Sequence, residues 1–168
     1  MSTPISSTAT SVATAARAGK YLTFFLAEEE YGLEILKVSE IIGMQPITRV
    51  PRMPGFVRGV INLRGKVIPI TDLRSKFGMQ FDDTTDSCII VVQMQGIQTG
   101  VVVDRVSEVV AIPEDDIEDA PSFGVGIHTE FLLGIGKTGG HVRLLVDIDR
   151  VLATKEIEAL EVARSHAA

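Results

Sequence analysis

The sequence predicts an all-β fold made of one unit used twice, closed by a C-terminal α-helix. Two observations carry this. Phe56–Arg74, FVRGVINLRGKVIPITDLR, returns 75 positions later as Phe131–Asp149, FLLGIGKTGGHVRLLVDID, with no gap. The identities are Phe56/Phe131, Gly59/Gly134, Gly65/Gly140, Val67/Val142 and Asp72/Asp147. Upstream of each copy, Gly32–Ile42 (GLEILKVSEII) is echoed by Gly100–Val110 (GVVVDRVSEVV), so the order of the motifs is also duplicated. Repeats of this kind define the architecture before any local motif does. The second observation is short β-rich runs punctuated by Gly and Pro, which point to two small barrels or a sandwich.

In the first copy Tyr21–Leu26 is a β-rich run ending at the acidic turn Glu28–Glu30. Tyr31–Ile35 alternates, with Tyr31, Leu33 and Ile35 on one face, as a half-buried strand does. Ser39–Met44 and Gly59–Leu63 are further strands. Arg64-Gly65 makes a tight turn into Lys66–Ile70, where Pro69 requires an edge or a bulge because proline cannot donate to the ladder. Asp72 can cap a helical turn over Leu73–Phe77, which Gly78 ends. The second copy runs as Ser87–Gln95, a turn at Gly96, Thr99–Val110, an acidic loop, Thr129–Ile135 and His141–Val146. Lys155–Ala163 has helix formers, with Ile157 and Leu160 on one face. Each copy alone is marginal as a core, so the two must share an interface, expected as a groove.

The chain has 168 residues, 45% hydrophobic and 23% charged, as a folded globule requires, and no apolar run reaches membrane-spanning length. Its one cysteine, Cys88, excludes an internal disulfide and fits a reducing compartment as a small buried hydrophobe. Residues 1–19 are rich in Ser, Thr and Ala, without the basic start and apolar stretch of a secretory signal, and are expected as a disordered tail. A cytoplasmic location follows. Net charge is −6 but unevenly spread. Arg49–Lys76 holds Arg49, Arg52, Arg58, Arg64, Lys66, Arg74 and Lys76 against Asp72, a local balance of +6, and Ala111–Ala120 carries only acids. The first copy therefore offers a cationic face for which an anionic partner is the functional counterpart.

No catalytic constellation is present. His128, His141 and His166 lack metal-ligand spacing, and no cofactor or metal is expected. Gly134–Gly139 matches G-x-G-x-x-G, but a β-run follows where a dinucleotide site needs a helix N-terminus, so it is a hairpin turn. The acids Glu114, Asp115, Asp116, Glu118 and Asp119 lack calcium-loop alternation. Seven Phe, two Tyr and no Trp, with net negative charge, argue against nucleic acid. A binding module remains. Val38, Gly59 and Arg64 are features that a core does not require. Arg64 at a turn tip can offer its fork to a partner carboxylate, and Gly59 permits close backbone approach.

EYGLEILKVSEI (Glu30–Ile41), GVINLRGKVIPITDLR (Gly59–Arg74), GVVVDRVSEV (Gly100–Val109) and TEFLLGIG followed by LLVDIDRVL resemble the CheW family of chemotaxis coupling proteins. The resemblance covers about Tyr21 to Leu160 and is most specific at N-L-R-G. It implies two SH3-like five-stranded β-barrel subdomains, at 20–85 and 86–150, with a helix and tail at 151–168. It also implies a non-enzymatic adaptor that joins the cytoplasmic tips of chemoreceptors to the regulatory domain of the histidine kinase CheA. Such an adaptor is cytoplasmic and recruited to membrane receptor arrays by the receptors themselves. By motif position Val38, Gly59 and Arg64 would contact receptor or kinase, with Glu40 and Asn62 flanking them. Val106 and Val109 would lie nearer the other subdomain's surface. The alternative is a stand-alone domain of this type scaffolding a two-component system outside chemotaxis.

Overall fold

In the computed structural model, which describes residues 18–80, 82–119, 131–152 and 154–167, the first copy supplies β1 (Gly19–Leu26), β2 (Glu29–Glu34), β3 (Val38–Gly43), β4 (Val57–Leu63) and β5 (Lys66–Asp72). The second supplies β6 (Cys88–Met94), β7 (Ile97–Val103), β8 (Arg105–Ile112), β9 (Ile117–Glu118), β10 (Leu132–Thr138) and β11 (His141–Val146). Helix α1 is the short turn Leu73–Lys76, and α2 spans Thr154–Ala167. The expected N-terminal tail lies largely outside the described residues, and β1 begins at its last member, Gly19.

The strands form two sheets, one of six strands in the order β8-β1-β2-β11-β10-β9 and one of five in the order β3-β6-β7-β5-β4. With the two-residue β9 set aside, the orders match copy for copy. Each sheet takes a hairpin from one copy and three strands from the other: β1–β2 joins β8, β10 and β11, while β6–β7 joins β3, β4 and β5. The boundary expected between residues 85 and 86 thus divides the repeats but not the sheets. The reason is connector length. A three-residue 3-10 turn, Ile35–Lys37, carries the chain from β2 in one sheet to β3 in the other, leaving no length for β3 to fold back. The strand expected over Thr99–Val110 divides in the same way at Asp104, which accepts hydrogen bonds from Ala27 N at 2.5 Å and Arg74 Nη1 at 2.7 Å. Parallel pairings, β2 with β11 and β5 with β7, join hairpin to triplet, each spanned by the long crossover that parallel strands need.

Duplication is visible atom by atom. Asp72 N donates to Phe56 O at 2.8 Å and Asp147 N to Phe131 O at 2.7 Å. Asp72 Oδ1 accepts from Arg74 N and Asp147 Oδ1 from Asp149 N, both at 3.0 Å, capping the turns that follow. Pro69 is tolerated in an inner strand because the parallel ladder of β5 with β7 starts only at Ile70, leaving the proline a single neighbour.

Apolar side chains from both sheets pack together at the surface they share. The largest apolar cluster lies there, with Phe24, Leu26 and Leu33 from one sheet, Ile90, Val92 and Val101 from the other, and Ile157, Leu160 and Ala163 of α2. Smaller clusters fill the remaining face of each sheet, around Ile68, Ile70 and Ile89 in one and Tyr21, Ile112 and Leu145 in the other. A run of stacked rings, Phe24–Tyr31–Phe77–Phe131, crosses this region with centroids 5.9, 6.0 and 4.6 Å apart. Cys88 is half-buried, and burial pushes its thiol up, as expected of an inert core cysteine.

Candidate functional site

The N-L-R-G segment is a two-residue hairpin turn. Arg64 and Gly65 both take positive φ, 52° and 87°, the mirror-image turn that matches the twist of paired strands. Asn62 Oδ1 accepts from Gly65 N at 2.8 Å and fixes that turn, so this asparagine shapes the hairpin. The Arg64 fork is occupied. Its Nη1 donates to Glu40 Oε1 at 3.2 Å and its Nη2 to Glu40 Oε2, while its side chain stays 69% exposed. This hydrogen-bonded guanidinium holds the Glu40 carboxyl below the usual range. The pair therefore joins β3 to the β4–β5 hairpin across the open ends of the five-stranded sheet. Glu108, the matching glutamate of the second V-S-E, stands 3.7 Å from Arg143 Nη2 within β11, because the position that copies Arg64 holds Gly139.

Gly59 is required by its own loop. Its φ is +139°, and a β-carbon there would lie 2.1 Å from Thr48 O. Thr48 crosses β4 with two hydrogen bonds to Val60, at 2.9 and 2.8 Å. Val38 and Val106 are half-buried against the inter-sheet core. Val109 is 50% exposed, and so, at 45%, is Ile41, its counterpart in the first V-S-E. Among the exposed apolar side chains that escaped the sequence, two lie beside the first V-S-E. Leu36, in the turn between sheets, is 95% exposed. Ile41 was hidden in an apolar pair, Ile41-Ile42, whose partition between faces depends on a register shift at Val38/Glu40. Of the glycine-rich Gly134–Gly139, residues 134–138 belong to β10 and only Gly139 enters the expected hairpin turn into β11. Of the histidines, His141 opens β11, His166 is in α2 and His128 lies outside the described residues.

Behind the hairpin lies an ion network that composition placed on the surface. Arg74 is fully buried, donating to Asp72 through Nε and Nη2 at 3.0 and 2.9 Å, to Asp83 at 2.8 Å and to Asp104 at 2.7 Å. Burial pulls this guanidinium's pKa down, but the carboxylates outweigh it and leave it raised. Arg58 adds bonds to Asp72 and Asp83, each at 2.9 Å. The Arg58 guanidinium, and Arg74 after it, hold Asp83 at about 2 against partial burial. A depressed carboxylate stabilises the fold above its unfolded pKa, about 4. That contribution is lost as pH falls from about 4 through about 2. Asp83→Asn is expected to flatten this acid limb in circular-dichroism titrations, and an unchanged limb would refute the assignment.

The CheW-like domain family matches residues 20–156. The chain belongs to the CheW family. It is 42% identical over 151 residues to the chemotaxis protein CheW of Klebsiella aerogenes, covering 88% of this chain and 90% of that protein. With the CheW of Bacillus subtilis it shares 33% over 135 residues, covering 79% and 86%. The crystal structure of the scaffolding protein TtCheW from Thermoanaerobacter tengcongensis superposes with a TM-score of 0.76 at 38% identity, covering 83% of this chain and 95% of that one.

On this CheW-like domain the candidate residues fall into two groups. Val38, Glu40, Gly59, Asn62 and Arg64 belong to the five-stranded sheet, where Glu40 and Arg64 meet directly. Val106 and Val109 belong to β8, the terminal strand of the other sheet. Among the described residues no group of three His, Cys, Asp or Glu could hold a metal, and no helix is long and apolar enough to cross a membrane.

Proposed function

We propose that this chain is a chemotaxis adaptor coupling chemoreceptors to the histidine kinase CheA, working by assembly and without chemistry of its own. The observation that carries the reading is the family match over residues 20–156, joined to relatives described as chemotaxis proteins. Nothing favours a role outside chemotaxis. The kinase's regulatory domain and the cytoplasmic tips of receptors are the partners, and receptors recruit the adaptor from the cytoplasm to membrane arrays. Two sheets sharing one core make a stiff body, so signal passes as a change in the relative placement of what it holds. Exposed Ile41 and Val109 offer apolar anchoring, and the Arg64–Glu40 pair sets orientation.

The test is co-sedimentation of the purified chain with receptor-bearing membranes and kinase. Arg64→Ala is expected to melt close to the parent, because its ion pair is exposed. Its assembly is expected to weaken about 30-fold, the size of a lost hot-spot contact. A folded Arg64→Ala protein that assembles normally would remove Arg64 from the site. A parent chain that sediments with neither partner would remove the adaptor reading.

A further inference from the structure

The cationic stretch of the first copy resolves into two classes. Five of its seven bases are bonded within the chain: Arg58 to Asp72 and Asp83, Arg64 to Glu40, Lys66 to Gln98 at 3.1 Å, Arg74 to three aspartates and Lys76 to Glu156 at 2.5 Å. Arg49 and Arg52 are left, both exposed and without a hydrogen bond or ion pair among the described residues.

The loop that carries them is held in place. Thr48 is pinned to Val60, and Val57 N donates to Pro54 O at 3.0 Å. Val50 and Met53 pack against the inter-sheet core, and Phe56 is buried in it. Inward Val50 and Met53 thus alternate with outward Arg49 and Arg52. Arg52 takes φ 63°, a left-handed conformation that its β-carbon disfavours. Such outliers persist where the surroundings impose them and gather at binding sites. Beside the loop lies a cavity of about 390 Å³ lined by Met44, Gln45, Ile47, Arg49, Arg58 and Asp83. Arg58 and Asp83 satisfy each other, so Arg49 is the free charge of its lining.

We infer that the segment from Met44 to Arg58 is a docking site for an acidic stretch of a protein partner. One partner carboxylate enters the cavity and takes the Arg49 fork, its aliphatic stem lying on Met44 and Ile47 beside the Gln45 amide. A second carboxylate meets Arg52, three residues along the loop. A guanidinium matches a carboxylate with two parallel bonds, and a loop ordered beforehand lowers the cost of making them. A polyanion such as nucleic acid fits less well: among the described residues no aromatic lines the cavity, and the whole chain carries −6. The inference rests on the adaptor reading only for which partner supplies the acids.

The full-length chain is titrated into a fluorescein-labelled peptide of alternating Glu and Ala, and separately into the kinase regulatory domain and a receptor-tip fragment. Arg49→Glu with Arg52→Glu is expected to weaken the peptide and one of the two proteins about tenfold or more, with the parent's binding falling as salt rises. The matching Lys double variant should keep part of the affinity. Arg52→Gly is expected to melt higher than the parent, by release of the left-handed strain, yet still bind the peptide more weakly. That combination separates lost charge from lost fold. Equal affinity of the parent and a folded Glu double variant for peptide and both proteins would overturn the site. If the double variant instead abolishes self-association in light scattering, the occupant is the acidic Glu114–Asp119 segment of a second copy, and the partner assignment is overturned. If the parent binds neither kinase nor receptor, the adaptor reading fails while the peptide titration still decides this site.

Discussion

Arg74→Met is expected to cost about 3–5 kcal/mol, the usual consequence of removing one member of a buried ion network. That is a large share of the roughly 5–15 kcal/mol by which domains of this size are stable, and corresponds to a fall in melting temperature of roughly 10 °C or more. Both Arg74 and Asp72 have side chains closed to solvent, and Asp72 is left with Arg58 as its remaining cation. Among the described residues Asp104 keeps only Ala27 N, and Asp83 keeps Arg58. Three acids then crowd one site with one guanidinium among them. The pH response should therefore shrink. The parent loses stability as pH drops through the range set by Asp83, whereas in the variant that carboxylate keeps only Arg58 of its two cations and should lose less. Arg74→Lys should fall between, since one ammonium cannot reach three carboxylates as a planar fork does. Thermal melts by circular dichroism from neutral pH down to about 2 measure both effects. A Met variant melting within a degree or two of the parent would show that the network contributes nothing net.

How much of this was legible follows from what is local. Strand existence, the Arg64-Gly65 turn, the Asp72 cap and the C-terminal helix rest on neighbours within a few residues, and each was readable. The repeat was legible too, down to the paired Asp72 and Asp147. What the chain concealed is pairing at long range. No local rule reveals that Asp104 ends one strand by bonding to Ala27 and Arg74, 77 and 30 residues away. For the same reason the +6 of Arg49–Lys76 looked like one surface, though Arg74 is interior and Arg64 is already engaged by Glu40. Charge can be counted from sequence, but its neutralisation depends on which acids fold alongside. Val38, Glu40 and Arg64 were singled out from motif position. Two of them bond to each other, so the Arg64 fork also fastens the hairpin against β3.

Gly59→Ala tests the same distinction between shaping a site and touching a partner. A β-carbon at this position would lie 2.1 Å from Thr48 O and 2.9 Å from Ile47 Cγ2. The oxygen cannot move aside cheaply, because Thr48 is held by both of its hydrogen bonds to Val60. The backbone adds its own penalty at φ +139°, open to glycine and strained for alanine. Strain and overpacking together are expected to cost about 3–5 kcal/mol. Gly55→Ala is the control: its β-carbon would meet nothing within 4 Å, and its cost should stay within about 0.5 kcal/mol. Displacing Thr48 would also shift Arg49, the next residue, in the cavity wall. Partner binding should therefore fall together with melting temperature, and recover part of its strength when corrected for the folded fraction. The opposite pattern, an unchanged melt with binding lost, would mean that a partner's backbone packs directly on Gly59 and that the loop yields more easily than its two hydrogen bonds imply.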